Sequence, residues 1–272
     1  MQFVYLAVSC AGVLVAALFA VTRLPEVSEA MLEAADSDDP ASADGHGQGP
    51  LWRQYNLIFG FVAQFCYVGA QVTVAAYFIN YATENANYDD ATASNMFSYA
   101  LITFTVSRFI ATALSVVLQA DFLLMIYAAL AIAFNAVVCA KSGPAAAGVL
   151  IALFFFEAPM YPTIFALGTA NLGRHTRRGA GILVMGVSGG AVFPPIQGAI
   201  ADSAGTRISY VVPLVGFVYV LGYVTVHWLR HGRHVLRQRD VDAAPASASS
   251  LVEGSEDGMA VRTGGSTEDE KL

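Results

Sequence analysis

Seven stretches of this chain are apolar for close to the length needed to cross a lipid bilayer, and that limits what it can fold into more than any other feature. They fall at about 2–22, 57–81, 96–118, 121–140, 145–168, 180–201 and 209–229. A hydrocarbon core about 30 Å thick takes roughly 20 apolar residues in helical form. The expected fold class is therefore all-α integral membrane, with about seven transmembrane helices. Composition agrees: 56% of the 272 residues are hydrophobic and 13% are charged, where a soluble domain carries roughly a quarter charged. Mean hydropathy is +0.55. The connections at 83–95, 119–121, 141–144, 169–179 and 202–208 are short, which makes neighbouring helices antiparallel.

Basic residues set the predicted orientation, since Lys and Arg accumulate on the cytoplasmic side. With a cytoplasmic tail, Arg23, Arg53, Arg174, Arg177, Arg178, Arg230, Arg233, Arg237 and Arg239 are inside, and only Lys141 and Arg207 are outside. Seven crossings then place the N-terminus outside. The first run starts almost at Met1, with no basic segment before it and no cleavage signal after it, which reads as a chain entered partway through rather than a signal peptide. The net charge of −7 is concentrated in an acidic stretch at 26–44 and in the tail after Asp240, both predicted to be solvated. Residues 1–22 are thus expected to be a helix, 23–56 a cytoplasmic linker, 57–230 a six-helix unit and 231–272 a disordered cytoplasmic tail. Cys10, Cys66 and Cys139 all lie in apolar runs and define no disulfide framework.

Ionisable side chains within apolar runs are costly and mark functional candidates. Arg108 and Glu157 stand near the middle of the third and fifth runs. They read either as an ion pair locking two helices or as groups in a water-filled pathway. An isolated carboxylate in lipid takes up a proton in preference to staying charged, which makes Glu157 a candidate for proton coupling. Gln64, Tyr67 and Gln71 share one helix face. Two amides and a phenol on one stripe suit the hydroxyl groups and C–H faces of a sugar, or else interhelical hydrogen bonds worth roughly 0.6–2 kcal/mol each. Asn135 is a weaker candidate of the same kind. Pro159 and Pro162, then Gly189, Gly190 and Pro194, interrupt two helices, and such breaks in transporters mark a substrate site or gating hinge. The Gly186–Gly190 spacing equally suits close helix packing. Arg174, Arg177 and Arg178 lie at a cytoplasmic turn, where they serve orientation or a salt-bridge latch. His175, His227, His231 and His234 read as surface groups near that face. No metal-ligand spacing, nucleophile elbow or phosphate loop occurs, so the expectation is no enzyme, no cofactor, no metal and no nucleic-acid partner.

Several blocks resemble the fucose–proton symporter family of the major facilitator superfamily. They are Tyr161-Pro-Thr-Ile-Phe-Ala-Leu-Gly168, Asn171-Leu-Gly173, Gly181-Ile-Leu-Val-Met-Gly-Val-Ser-Gly-Gly-Ala191 and Gln197-Gly-Ala-Ile-Ala-Asp202, with Gln64 to Gln71 and Ser107-Arg108-Phe109 similar to the family's seventh and eighth helices. The resemblance covers about residues 1–230, and Arg174 to Arg178 looks most like a fungal branch. It implies a twelve-helix fold of two halves with the sugar between them, of which this chain matches helices six to twelve. In that family the coupling acids belong to the other half, while this half offers neutral groups such as Gln64, Tyr67 and Gln71. Glu157 departs from the small or amide residue common at its place.

The implied function is monosaccharide transport (fucose, glucose or galactose-like) by proton symport with alternating access. The implied partners are a sugar, protons, the bilayer and a missing N-terminal half, and the implied location is the plasma membrane. The alternatives are a non-transporting sugar sensor or a decayed remnant. A retinal protein is excluded because Lys141 and Lys271, the two lysines, fall in a loop and in the tail. A G-protein-coupled receptor matches by helix count alone.

Overall fold

In a computed structural model the described residues are 54–170, 172 and 175–230, with short helical pieces at 9–10, 12–14 and 16–18. These pieces fall inside the first expected run. The acidic linker, the tail and Arg174 lie outside the described residues.

The described chain is almost entirely helical. We label α1 Tyr55–Ala76, α2 Phe78–Ala86, α3 Asp90–Leu114, α4 Ala120–Ala140, α5 Pro144–Glu157, α6 Met160–Thr169, α7 Thr176–Met185, α8 Gly189–Ala204, α9 Thr206–Ser209 and α10 Val211–Arg230. Six helical stretches among the described residues are long and apolar enough to cross a membrane: α1, α3, α4, α5–α6, α7–α8 and α9–α10. They match the last six expected runs.

Boundaries moved where polar residues begin a helix. The third run begins six residues early because Asp89 caps α3, its carboxylate accepting from the Thr92 N–H at 3.3 Å. Asp89 is exposed, and this hydrogen bonding holds its carboxyl below the usual carboxylate range. Asn87, in the left-handed conformation at φ 56°, ends α2 and reduces the loop before α3 to three residues. Asp121, where the expected connection and the expected run meet, lies in the first turn of α4.

Prolines break the fifth span where expected. Pro159 has no N–H to give the Phe155 carbonyl, and α5 stops at Glu157 before α6 resumes at Met160. Neighbouring helices satisfy the freed carbonyls. The Ser107 hydroxyl of α3 donates to Phe155 O, and the Tyr67 hydroxyl of α1 donates to Glu157 O at 2.8 Å. A buried carbonyl left without a donor costs about 1–3 kcal/mol. Tyr67→Phe is therefore expected to lower stability by about that amount and to add to Ser107→Ala less than independently, since both act on one break. Denaturant titration of the purified single and double variants checks this; a Tyr67→Phe protein as stable as the wild type would detach the phenol from the break.

The core is rich in aromatics. Phe78 packs against Phe97 and Phe154, and Tyr127 against Phe155 and Phe156. At the end where α2 meets α3, Tyr81 donates to the Val138 and Lys141 carbonyls and stacks edgewise on Tyr210. Thr206 donates to Glu84 at that same end. A smaller cluster of Leu57, Leu172 and Leu183 closes the opposite end.

Candidate functional site

α1 runs through the middle of the bundle, packing on α6, α8 and α10, and it carries the predicted stripe. Gln64 is fully buried, and neither its amide nitrogen nor its amide oxygen has a partner among the described residues. Tyr67, also fully buried, spends its hydroxyl on the helix break. Gln71 is half-buried one turn further along.

Gln197 of α8 is, like Gln64, a fully buried side chain with an unpartnered amide. As a site residue it went unrecognised in the sequence, because a single amide in an apolar run looks like any helix cross-link. Glu157, at the last position of α5, is fully buried with both carboxylate oxygens unpartnered. Buried polar groups in native structures nearly always have partners, and an ionised carboxylate without one is especially costly. Orphaned amides on α1 and α8 and an orphaned carboxyl on α5 form a set of groups prepared for a hydrogen-bonding guest or a proton.

Arg108 departs from the sequence expectation. Because α3 begins early, Arg108 lies past the helix midpoint, about 9 Å along the axis at about 1.5 Å per residue. It forms no ion pair with Glu157, which excludes the helix lock. Its guanidinium lies 4.8 Å from the centroid of the Phe104 ring, and it lines a cavity of about 300 Å³ with Thr112, Ser115, Pro159, Pro162 and Thr163. The Thr112, Ser115 and Thr163 hydroxyls donate to the Arg108, Thr112 and Pro159 carbonyls three or four residues earlier. The predicted hinge prolines thus border the cavity of Arg108.

Asn135 is buried and donates to the Tyr210 carbonyl at 3.1 Å, tying α4 to the start of α10. Gly189 and Gly190 open α8 against α1, and a Cβ on Gly189 would lie 2.0 Å from Phe65 O, so these residues form a close helix contact. Pro194 is inside α8, and its carbonyl accepts from Tyr77 at 3.2 Å. Arg177 and Arg178 are exposed on the first turn of α7.

One pair escaped the sequence reading. His227, read as a surface group, is 8% exposed, and its Nδ1 lies 3.0 Å from Oδ2 of Asp121, itself 2% exposed. The signal was available in outline: each residue sits within a turn of the end of an apolar run, at the same end of the bundle.

No protein-family model matches the chain. It is 32% identical over 224 residues to a glucose/galactose transporter of Brucella abortus, covering 82% of this chain and 52% of that protein. It is 31% identical over 206 residues to the L-fucose-proton symporter of Escherichia coli, covering 75% of this chain and 46% of the symporter. The structure superposes on the crystal structure of FucP, a major facilitator superfamily transporter in the outward conformation, with a TM-score of 0.70 and 28% identity over 83% of this chain and 54% of FucP. The fold is that of a major facilitator transporter. The chain spans about half the length of the curated relatives it matches. Those relatives are transporters, not enzymes. Both come from bacteria, which gives the fungal affinity of the Arg174 to Arg178 stretch no support.

Proposed function

We propose that this chain is the C-terminal portion, helices six to twelve, of a proton-coupled monosaccharide transporter. The observation that carries the reading is the set of orphaned polar groups, Gln64, Gln197 and Glu157, buried in membrane-spanning helices of a major facilitator fold. Neutral amides accept and donate to sugar hydroxyls without the desolvation cost of a charge. Gln64 and Gln71 contact the sugar, with Arg108 offering donors from its cavity, Asn135 holding the supporting helices and Tyr67 fixing the broken helix beside them. Glu157 carries a proton. The relatives named above handle glucose, galactose and L-fucose, so a hexose or 6-deoxyhexose is the substrate class.

Alternating access needs a second half rocking against this one. α3 and α7–α8 are the least buried spans, 17% and 22% against 56% for α1, and they suit a face that an N-terminal half covers. Pro159, Pro162 and Pro194 mark where the helices give, Gly189 and Gly190 form the contact they pivot on, and Arg177 and Arg178, with Arg174, latch the cytoplasmic end. The basic ends lie in the cytoplasm, the N-terminus outside, and the membrane is the plasma membrane.

The test is uptake by the complete gene product in proteoliposomes under an inward proton gradient, using labelled L-fucose, D-galactose and D-glucose. Gln71→Ala should weaken sugar binding about tenfold, the equivalent of one hydrogen bond near 1.4 kcal/mol, without removing the protein from the membrane. Unchanged affinity would end the role of Gln71. Sugar binding without uptake would instead identify a non-transporting sensor.

A further inference from the structure

Two ionisable groups without a charged partner flank one helix break. Both carboxyl oxygens of Glu157 lack a hydrogen-bond partner among the described residues, and the Arg108 guanidinium, over the Phe104 ring, forms no ion pair among them. The residues beside them are joined. Ser107, next to Arg108, donates to Phe155 O, two residues before Glu157. α3 and α5 begin alternate spans linked by short connections, so they run in the same direction. From that hydrogen bond Arg108 lies about 1.5 Å further along α3 and Glu157 about 3 Å further along α5. The two groups thus stand on packed helices at nearly one level. Both also act electrostatically on the same buried phenol, Tyr67, which donates to the Glu157 carbonyl.

The break gives this carboxyl a freedom that a mid-helix position lacks. Glu157 is the last residue of α5, and α6 resumes only at Met160. Pro159 and Pro162, just beyond it, line the cavity of Arg108, which reaches Ser115 and Ala120 at the α3–α4 connection. Rotation at the turn brings the Glu157 side chain toward that cavity. An opposite charge within about 4–6 Å favours an ionised carboxylate. The other titratable groups around the break are the phenols of Tyr67 on α1, Tyr127 on α4, Tyr161 on α6 and Tyr210 on α10, and phenols ordinarily titrate near pH 10. Among the described residues the remaining arginines and Lys141 lie at the ends of spans. Arg108 is therefore the cation within a span that can replace the proton.

We propose that Arg108 discharges the proton carried by Glu157. As the turn after Glu157 rotates, the carboxyl O–H bond breaks, the proton passes to water in the cavity, and the carboxylate is left paired with the guanidinium. No other bond changes. The carboxyl takes up a proton again before it returns to its buried place, where an ionised carboxylate without a partner is costly. The inference rests on the reading of Glu157 as the proton carrier and names the group that couples its discharge to movement of the broken helix.

Net uptake needs the carboxyl to lose its proton once in each cycle. Exchange of labelled for unlabelled sugar does not, because the carboxyl stays protonated throughout. Both are measured with the complete gene product in proteoliposomes, at saturating sugar, so that a weakened sugar contact is not limiting. Arg108→Gln should lower proton-driven uptake about tenfold or more beyond any loss of exchange, the smallest effect expected of a nearby cation on a carboxyl. Arg108→Lys should recover much of that uptake, since a cation suffices. Glu157→Gln should show the same split, and the double Gln variant should be no worse than either single one. Uptake unchanged in Arg108→Gln overturns the proposal. Equal loss of uptake and exchange overturns it too, and assigns Arg108 to sugar binding or folding. Wild-type uptake that ignores the proton gradient, with Glu157→Gln as active as wild type, instead ends the proton-carrier reading and the proposal with it.

Discussion

Gly189→Val should yield little or no folded protein, while Gly181→Val should behave as wild type. At Gly189 an added Cβ would sit 2.0 Å from the Phe65 carbonyl oxygen and 3.1 Å from the Gly69 backbone nitrogen. Those are backbone atoms of α1, so no side-chain rotation relieves the contact, and α8 has to move away. The interface is reciprocal. α1 presents Gly69 where the Phe193 ring of α8 lies, and a Cβ on Gly69 would meet that ring at 2.4 Å. Apolar helices in lipid associate through such small-residue contacts, because the bilayer itself offers no hydrophobic drive. Overpacking costs about 1–3 kcal/mol where side chains can adjust, and a clash with backbone stands at or beyond the upper end. Gly181, exposed with nothing within 4 Å of its Cβ position, is the control. Size-exclusion profiles of the two variants from equal expression decide the matter. A monodisperse Gly189→Val protein with a wild-type thermal midpoint would refute the contact.

The second large effect is expected at the buried pair. Asp121→Ala should destabilise the purified chain by about 1–3 kcal/mol, the cost of leaving the buried His227 ring nitrogen without its hydrogen-bond partner. Asp121 and His227 are 2% and 8% exposed and join α4 to α10 at 3.0 Å. Desolvating two polar groups is costly, so their pairing offsets burial more than it adds stability. It follows that an apolar double replacement, Asp121→Leu with His227→Phe, should recover much of what Asp121→Ala loses. Denaturant titration in bicelles gives both numbers. If Asp121→Ala stays within about 0.5 kcal/mol of wild type, the pair is no more than a surface contact.

The same pair shows where reading the sequence runs out. A run of 20 apolar residues announces a helix, because burial in lipid depends on local composition and helical backbone bonds are local. Six spans therefore came out at close to their observed positions. The broken helix at Pro159 was equally legible, since proline acts on its own turn. His227 and Asp121 are 106 residues apart, and nothing local in either segment signals the other. Arg108 was placed too centrally for a related reason: polar residues 90–95 looked like loop, yet the Asp89 cap draws them into α3. Gln197 gave no periodic signal, and only its burial without a partner distinguishes it from a helix cross-link.

Hydropathy alone identified a bundle of membrane-crossing helices, the place of each of the last six to within about six residues at either end, and the polar groups that lie within them. Hydropathy and proline act through the nearest few residues, so those features need no knowledge of neighbours. What each polar group faces is set by how the helices pack. Packing committed the Tyr67 and Ser107 hydroxyls to the break, Asn135 to the Tyr210 carbonyl and His227 to Asp121, and it left Gln64, Gln197 and Glu157 without partners. Those outcomes depend on the rotation and crossing of helices far apart in the chain, and the glycine contact between α1 and α8 helps to set them.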